Sequence, residues 1–225
     1  MAKAPPVAII WPYPASVSSY VSAGREIEVP PQRCPACQRR LIGWGGYWRW
    51  LRAPLVVERI WIRRGRCAAC RRSHALVPDL VLLRRLDVVT VIGTALVLKV
   101  IDGLGLRTIA EQLDVPHTTL RTWWQRFRAR SPLLLSSCTR LTVALDGTPV
   151  DVRSVGERAA LEVLSLAWQR AEVRFGVRMG GGSVWSFWSA ISGGLALGTH
   201  TTSPWAAVRG ADWMRAAPSP GGPGP

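Results

Sequence analysis

A chain of 225 residues with 48% hydrophobic content is long enough to bury a substantial core as one or two modest domains. Its formal net charge of +15 comes almost wholly from arginine, since Lys3 and Lys99 are the only lysines among 29 Lys and Arg. A surplus of this size favours a polyanion partner, because the planar guanidinium fork suits phosphate and guanine edges. The Ala, Arg and Gly richness also fits a GC-rich coding sequence, so distribution says more than the total.

Between Arg33 and Arg85, thirteen arginines stand against Glu58 and Asp79, a local +11. The stretch from Lys99 to Arg130 adds +3, and the two ends are close to neutral. Charge gathered on one stretch reads as a binding surface. No secretory signal is visible at the Pro-rich start, and the apolar run Val88–Ile101 is too short to span a bilayer and contains Lys99. The expectation is a cytoplasmic, nucleoid-associated protein without membrane contact.

Residues 1–32 form a Pro-rich N-terminal segment in which Val7–Trp11 can pair as a strand. Cys34-Pro-Ala-Cys37 follows, and after 29 residues Cys67-Ala-Ala-Cys70. Two C-x-x-C pairs at this distance make the pattern of a structural four-cysteine Zn²⁺ site, each pair forming a turn that aims two sulfurs at one metal. A disulfide pair or a redox motif competes. Disulfides suit a cytosolic chain poorly, and redox use needs one C-x-x-C opening a helix, not two. Leu55–Arg63 is rich in β-branched and aromatic residues and reads as a strand that Gly65 breaks; residues 33–80 are thus expected to form a zinc ribbon. Flanking Arg33, Arg39, Arg40, Arg66, Arg71 and Arg72 would offset the excess charge of four thiolates around Zn²⁺. His74 is expected to pack beside the site rather than to bind metal or phosphate, and Cys138 to be a small core residue. Trp44, Trp48 and Trp50 fit either a cover over the ribbon's core or stacking platforms for nucleic acid, the cover being the commoner use.

Residues 86–102 are too apolar for a surface helix, and Gly103 is placed to close them as a C-cap. From Leu104 to Arg130 the sequence LGLRTIAEQLDVPHTTLRTWWQRFRAR reads as two short helices and a tight turn. Counting Leu106 as position 1, Ile109, Leu113, Val115, Leu120 and Trp123 fall at 4, 8, 10, 15 and 18, with the small Ala110 at 5. Those offsets suit a helix-turn-helix, whose helices bury one shared wedge against a third. Asp114 stands where the turn usually has Gly, and Asp tolerates the left-handed conformation it requires. Residues 86–131 are therefore expected to form a trihelical DNA-binding domain. Its second helix, beginning near Pro116, would enter the major groove with Leu120, Trp123 and Phe127 inward. His117, Thr118, Thr119, Arg121, Thr122 and Gln125 would then face bases. Arg121 suits guanine and Gln125 adenine, while Arg107, Arg126, Arg128 and Arg130 would hold phosphates.

After Pro132 the sequence changes character. Leu141–Leu145 (LTVAL) resembles a strand ending at an Asp146-Gly147 turn, Glu157–Phe175 an amphipathic helix, Gly180–Gly182 a hinge, and Ser183–Ile191 a short helix carrying Trp185 and Trp188 on one side. Residues 140–215 read as a helical C-terminal region of unknown role, and 216–225 as a disordered tail. The expected fold class is mainly α with a small β zinc ribbon: the ribbon, then a trihelical helix-turn-helix unit, then a helical C-terminal appendage.

With CPAC, RCAACRRSHALVP and GLGLRTIAEQLDVPHTTLRTWWQRF in this order, the chain resembles bacterial insertion-sequence transposases whose N-terminal zinc ribbon precedes a helix-turn-helix. It resembles more closely a short transposon-associated family of unknown function with the same two modules. The resemblance covers roughly residues 30–130 and implies that both modules grip double-stranded DNA, in transposases at the terminal repeats of the mobile element. Such transposases add a ribonuclease-H-type carboxylate triad, and here the match fails. Asp146 sits as a first catalytic Asp would. Two-metal chemistry needs further carboxylates on further strands, and only Asp151, Glu157, Glu162, Glu172 and Asp212 remain. No catalytic residue is therefore assigned, and the expectation is a DNA-binding protein rather than an enzyme. A truncated or two-component transposase and a zinc-ribbon protein-interaction module are the alternatives; a second copy of the chain or a transposase are the candidate protein partners.

Overall fold

In the sheet, apolar and polar residues alternate along two long strands. The computed structural model describes residues 8–54, 56–176 and 182–198. Strands β2 (Leu41–Ala53) and β3 (Val56–Cys67) pair antiparallel, so that Leu51 opposes Glu58, Arg49 opposes Ile60 and Tyr47 opposes Ile62. Leu51, Ile60 and Ile62 are buried, which fixes this as the core face. β4 (Ser73–Pro78) adds antiparallel to β3, and β1 (Ile9–Trp11) adds parallel to β4, giving the order β1-β4-β3-β2. The strand expected in Val7–Trp11 thus forms at its described end.

This four-stranded sheet makes the chain mixed α/β rather than mainly α with a small ribbon. β3 also runs through Gly65 instead of breaking there. A Cβ at Gly65 would lie 3.0 Å from the Leu41 side chain on the neighbouring strand, so the glycine permits close strand packing rather than a turn.

Helix α1 (Val17–Ala23) is N-capped by the Ser16 hydroxyl and lays Tyr20 against the sheet, where its hydroxyl donates to the Trp61 carbonyl at 3.0 Å. Arg49 and Arg52 join β2 to the segment before the helices. Arg49 donates to the carbonyls of Leu82 and Arg85, and Arg52 pairs with the buried Asp87 at 2.5 Å.

α2 (Val89–Val100) is, as its composition predicts, largely buried, and it packs on the helices that follow: α3 (Leu106–Gln112), α4 (His117–Asp146), α5 (Gly156–Phe175) and α6 (Val184–Ile191). Gly103, at φ +69°, sits in the turn after α2, where Leu104 N–H returns to the Leu98 carbonyl at 3.0 Å. One continuous apolar cluster runs from Trp11 through the sheet and α2 to Leu197.

Two expectations about the chain after Arg130 need correction. Residues Leu141–Leu145 are not a strand, and Pro132 ends nothing. α4 is one helix of 30 residues, about 45 Å long at the usual rise, and it crosses both the 131 and 140 boundaries read from the sequence. Pro132 leaves the Arg128 carbonyl without its i+4 amide, and the Ser131 hydroxyl donates to that carbonyl at 2.9 Å. Leu134, Cys138, Thr142 and Leu145 are buried at helical spacing against α5. This periodic burial overrides the β-propensity of LTVAL. At the far end Gly147 caps α4 with φ +78°, and Arg170 from α5 donates to the Thr142 carbonyl, the Asp146 carboxylate and the Thr148 carbonyl. Arg174 donates to the Leu145 carbonyl. Cations belong at a helix C-terminus, where carbonyls lack amide partners.

α5 and α6 match their predicted spans, with Ser183 capping α6. Residues 180–181 of the expected hinge, residues 199–215 and the 216–225 tail lie outside the described residues, as do residues 1–7. Among the described residues, no helix is long and apolar enough to cross a membrane.

The α2–α6 contact supplies a test of the packing. A Cβ on Gly93, itself buried, would lie 2.0 Å from the rigid, half-buried Trp185 indole. Gly93→Ala gains about 1 kcal/mol of helix propensity but overpacks this contact, for an expected net loss of about 1–2 kcal/mol in urea unfolding. Thr94→Ala, at an exposed neighbouring position, is expected to change stability by less than about 0.5 kcal/mol. Equal behaviour of the two variants would contradict the packing.

Candidate metal centre and exposed helix face

Both C-x-x-C pairs fold into the same local shape. Gln38 and Arg71, each four residues after the first cysteine of its pair, are left-handed at φ 60° and 56°. Cys34 N–H donates to the Arg39 carbonyl and Cys67 N–H to the Arg72 carbonyl, both at 2.8 Å. The first turn sits just before β2, and the second joins β3 to β4, so sheet pairing brings the turns together.

The sulfurs of Cys34, Cys37, Cys67 and Cys70 all lie within 4.8 Å of one another. Cys34 is 3.9 Å from Cys70, and Cys37 is 3.4 Å from Cys67. A tetrahedral zinc with bonds of about 2.3 Å would space its sulfurs about 3.8 Å apart. All four are free thiols rather than disulfides. Cys34 and Cys67 are buried, and Cys37 and Cys70 lie nearer the surface.

The thiols of Cys67 and Cys70 are driven in opposite directions. The Cys70 amide, 3.4 Å from the Cys67 sulfur, pulls that thiol down to about 7. Hydrogen bonding to Cys37, then burial, pushes Cys70 up to about 12. A divalent cation at the centre removes this conflict by stabilising every thiolate at once. Four sulfur ligands leave no open coordination position, so the centre is suited to holding structure rather than to catalysis.

His74 is buried with Nε2 at 3.7 Å from the Cys34 sulfur, packed beside the site as expected. Cys138 lies fully buried in α4, where burial lifts its thiol to about 12.

In the helix pair, the inward set is where the offsets place it. Ile109, Ala110, Val115, Leu120, Trp123 and Phe127 are buried, with Leu113 half-buried. Asp114 adopts φ +49°, and Val115 N–H closes the turn on the Ala110 carbonyl. Arg107, His117, Thr118, Arg121 and Gln125 are exposed, and Thr119 and Thr122 half-exposed. The Thr122 hydroxyl donates back to the Thr118 carbonyl.

The arginines expected on phosphates divide. Arg107 and Arg121 make no hydrogen bond or ion pair among the described residues. Arg126 and Arg130 instead donate to the carbonyls of Leu197 and Gly198, where Arg85 also donates to Leu197. Arg128 pairs with Glu157 at 3.4 Å. Nothing in the sequence signals that residues 197 and 198 would gather three arginines, because the partners lie 68 or more residues apart.

Among the described residues, which do not include Asp212, no three carboxylates gather into a triad. Asp146 accepts Thr148 N–H and the Arg170 guanidinium, a turn residue as read from Asp-Gly. Glu162 is held by Ser154 and Arg158, which keep it ionised below the usual carboxylate range.

The tryptophans overturn an expectation. Trp44, Trp48 and Trp50 are 49%, 37% and 55% exposed, so they do not cover a core. Trp48 and Trp50 occupy the alternate β2 positions to Leu51, away from the core face. Alternation along LIGWGGYWRWLRA carried that signal.

A family model described as a domain of unknown function (DUF6431) matches residues 34–123. The match opens on Cys34 and closes on Trp123, so it takes in the cysteine cluster, β2–β4, α2, α3 and the first residues of α4. No curated protein and no solved structure matches the chain.

Metal release tests the centre. Titrating the thiols with an organomercurial is expected to release about one Zn²⁺ per chain from the wild type. Cys37→Ser or Cys67→Ser should lower that yield sharply, whereas Cys138→Ser should leave it intact. Acidification should also release the metal, because protons compete for the thiolates. Full retention in Cys67→Ser would remove the centre from the account.

Proposed function

We propose that the chain is a zinc-stapled, transposon-associated protein that binds duplex DNA, with α3 and the first turns of α4 acting as a helix-turn-helix and the cysteine-clipped sheet as a zinc ribbon. The observation that carries this reading is the division of α4's first turns. Leu120, Trp123 and Phe127 are buried while Arg121 and Gln125 stand exposed on the same helix. A recognition helix needs one face anchored and the other presented to base edges.

The charge supports the reading too. The segment Arg33–Arg85 carries a local +11, and Arg39, Arg40, Arg71 and Arg84 remain exposed. These suit contacts to the phosphate backbone beyond the helix. In this reading Arg121 is bidentate to a guanine, Gln125 to an adenine, and Arg107 meets a phosphate. Arg126 and Arg130 tie α4 to the carbonyls of Leu197 and Gly198, whereas Arg128, 71% exposed beside Glu157, meets a phosphate. The zinc centre contributes rigidity and no chemistry, and association with the nucleoid follows from duplex binding. The resemblance to transposon proteins supports recognition of element ends as the biological setting.

Selection of bound duplexes from a random pool tests the assignment. Arg121→Ala should relax preference at one base position, losing about 1–3 kcal/mol of discrimination there. Arg107→Ala should weaken binding evenly across sequences and reduce the salt slope by about one. Identical effects from the two variants would refute these roles.

A further inference from the structure

The outward face of the β2–β3 ribbon carries aromatic rings and guanidinium groups in alternation, and the duplex reading does not use it. By strand register this face holds Trp48 opposite Trp61 and Trp50 opposite Arg59, with Val57 beside them. The Arg59 guanidinium lies 5.4 Å from the Trp48 ring and 5.5 Å from the Trp50 ring, between the two. Trp48 meets Trp61 edge-on at 5.2 Å, and Arg25 stacks over Trp61 at 4.9 Å. Trp50 and Val57 are more than half exposed. No carboxylate stands on this face of either strand, because Glu58 opposes Leu51 on the other side. At the far end a cleft lined by Glu28, Arg40, Ile42, Gly43 and Arg64 borders the same ribbon.

We propose that this Trp48–Arg59–Trp50 face is a stacking platform for single-stranded nucleic acid. Exposed indoles are costly in water, and arginines set between them repel a second copy of the same face. An unpaired polynucleotide satisfies both features: its bases offer π-faces to the indoles, and its phosphates meet the guanidinium groups. A duplex fits poorly, since its bases already stack on one another and present only edges. Trp44 is excluded from the platform. The register shift between Gly43 and Gly46 leaves it on the side of Ile42 and Arg66, and it stacks with Arg66 at 4.3 Å. The inference goes beyond duplex binding and does not depend on it.

Fluorescence anisotropy with the zinc-loaded full chain tests it, using a labelled thymidine homopolymer of about 15 nucleotides. A duplex of equal length and anionic phospholipid vesicles serve as competitors. Trp50→Ala and Arg59→Glu should each weaken homopolymer binding by about tenfold or more, and Trp50→Phe, which still stacks, by no more than about threefold. Trp44→Ala should bind the homopolymer like the wild type, and Trp50→Ala should keep its duplex affinity. Arg121→Ala should show the reverse, losing duplex preference while keeping the homopolymer, so that failure of either reading is seen separately. The exposed positions make unfolding avoidable, and thermal midpoints verify it. Homopolymer binding unchanged in both Trp50→Ala and Arg59→Glu, an equal loss in Trp44→Ala, or vesicles displacing a homopolymer that the duplex cannot would each overturn the platform.

Discussion

Four sulfur atoms within 4.8 Å of one another set the constraint on which the N-terminal half depends. As thiols they compete for few hydrogen bonds; as thiolates they repel. A central divalent cation would turn the same cluster into a clip that ties the start of β2 to the β3–β4 turn. Such a clip would fix one end of a long two-stranded ribbon whose other end is held by Arg49 and Arg52 to the segment before α2. Between those anchors the ribbon needs little core of its own, and it can afford to leave Trp48 and Trp50 outside.

The helical half depends on a different device, the apolar α2. It is buried against α3, α4, α5 and α6, and its Gly93 admits the Trp185 ring. Because α2 also joins the sheet's core, the cysteine cluster and the α3–α4 pair sit on one continuous apolar interior. The family match from Cys34 to Trp123 covers the cysteines, β2–β4, α2, α3 and the first residues of α4. In the proposed duplex grip, that continuity is what gives the sheet's arginines a fixed offset from the base-reading turns of α4.

Features with local causes were legible in the sequence. The C-x-x-C pairs set their own turns, Asp114 took the left-handed φ, and the offsets from Ile109 to Trp123 marked the buried side of α3 and α4. Ser183 marked the start of α6. Features with distant causes were not. LTVAL has strand propensity, but α5 supplies a helical groove and Arg170 and Arg174 a cap for its carbonyls. Pro132 reads as a stop until the Ser131 hydroxyl takes the orphaned Arg128 carbonyl. Arg126 and Arg130 read as phosphate ligands until residues 197 and 198 fold back on them. Arginine is ambiguous in a sequence for this reason: its five donors serve a carbonyl as readily as a phosphate.

The central claim is that a metal-clipped, arginine-rich sheet and the α3–α4 pair act together on duplex DNA. Duplex affinity measured against salt concentration, for the zinc-loaded and the chelator-stripped chain, tests it most directly. The account predicts a steep linear fall of log affinity with log salt, about 0.9 per phosphate contacted, and a markedly shallower slope once the metal is removed. A flat dependence in the loaded protein, or identical slopes with and without metal, would contradict it.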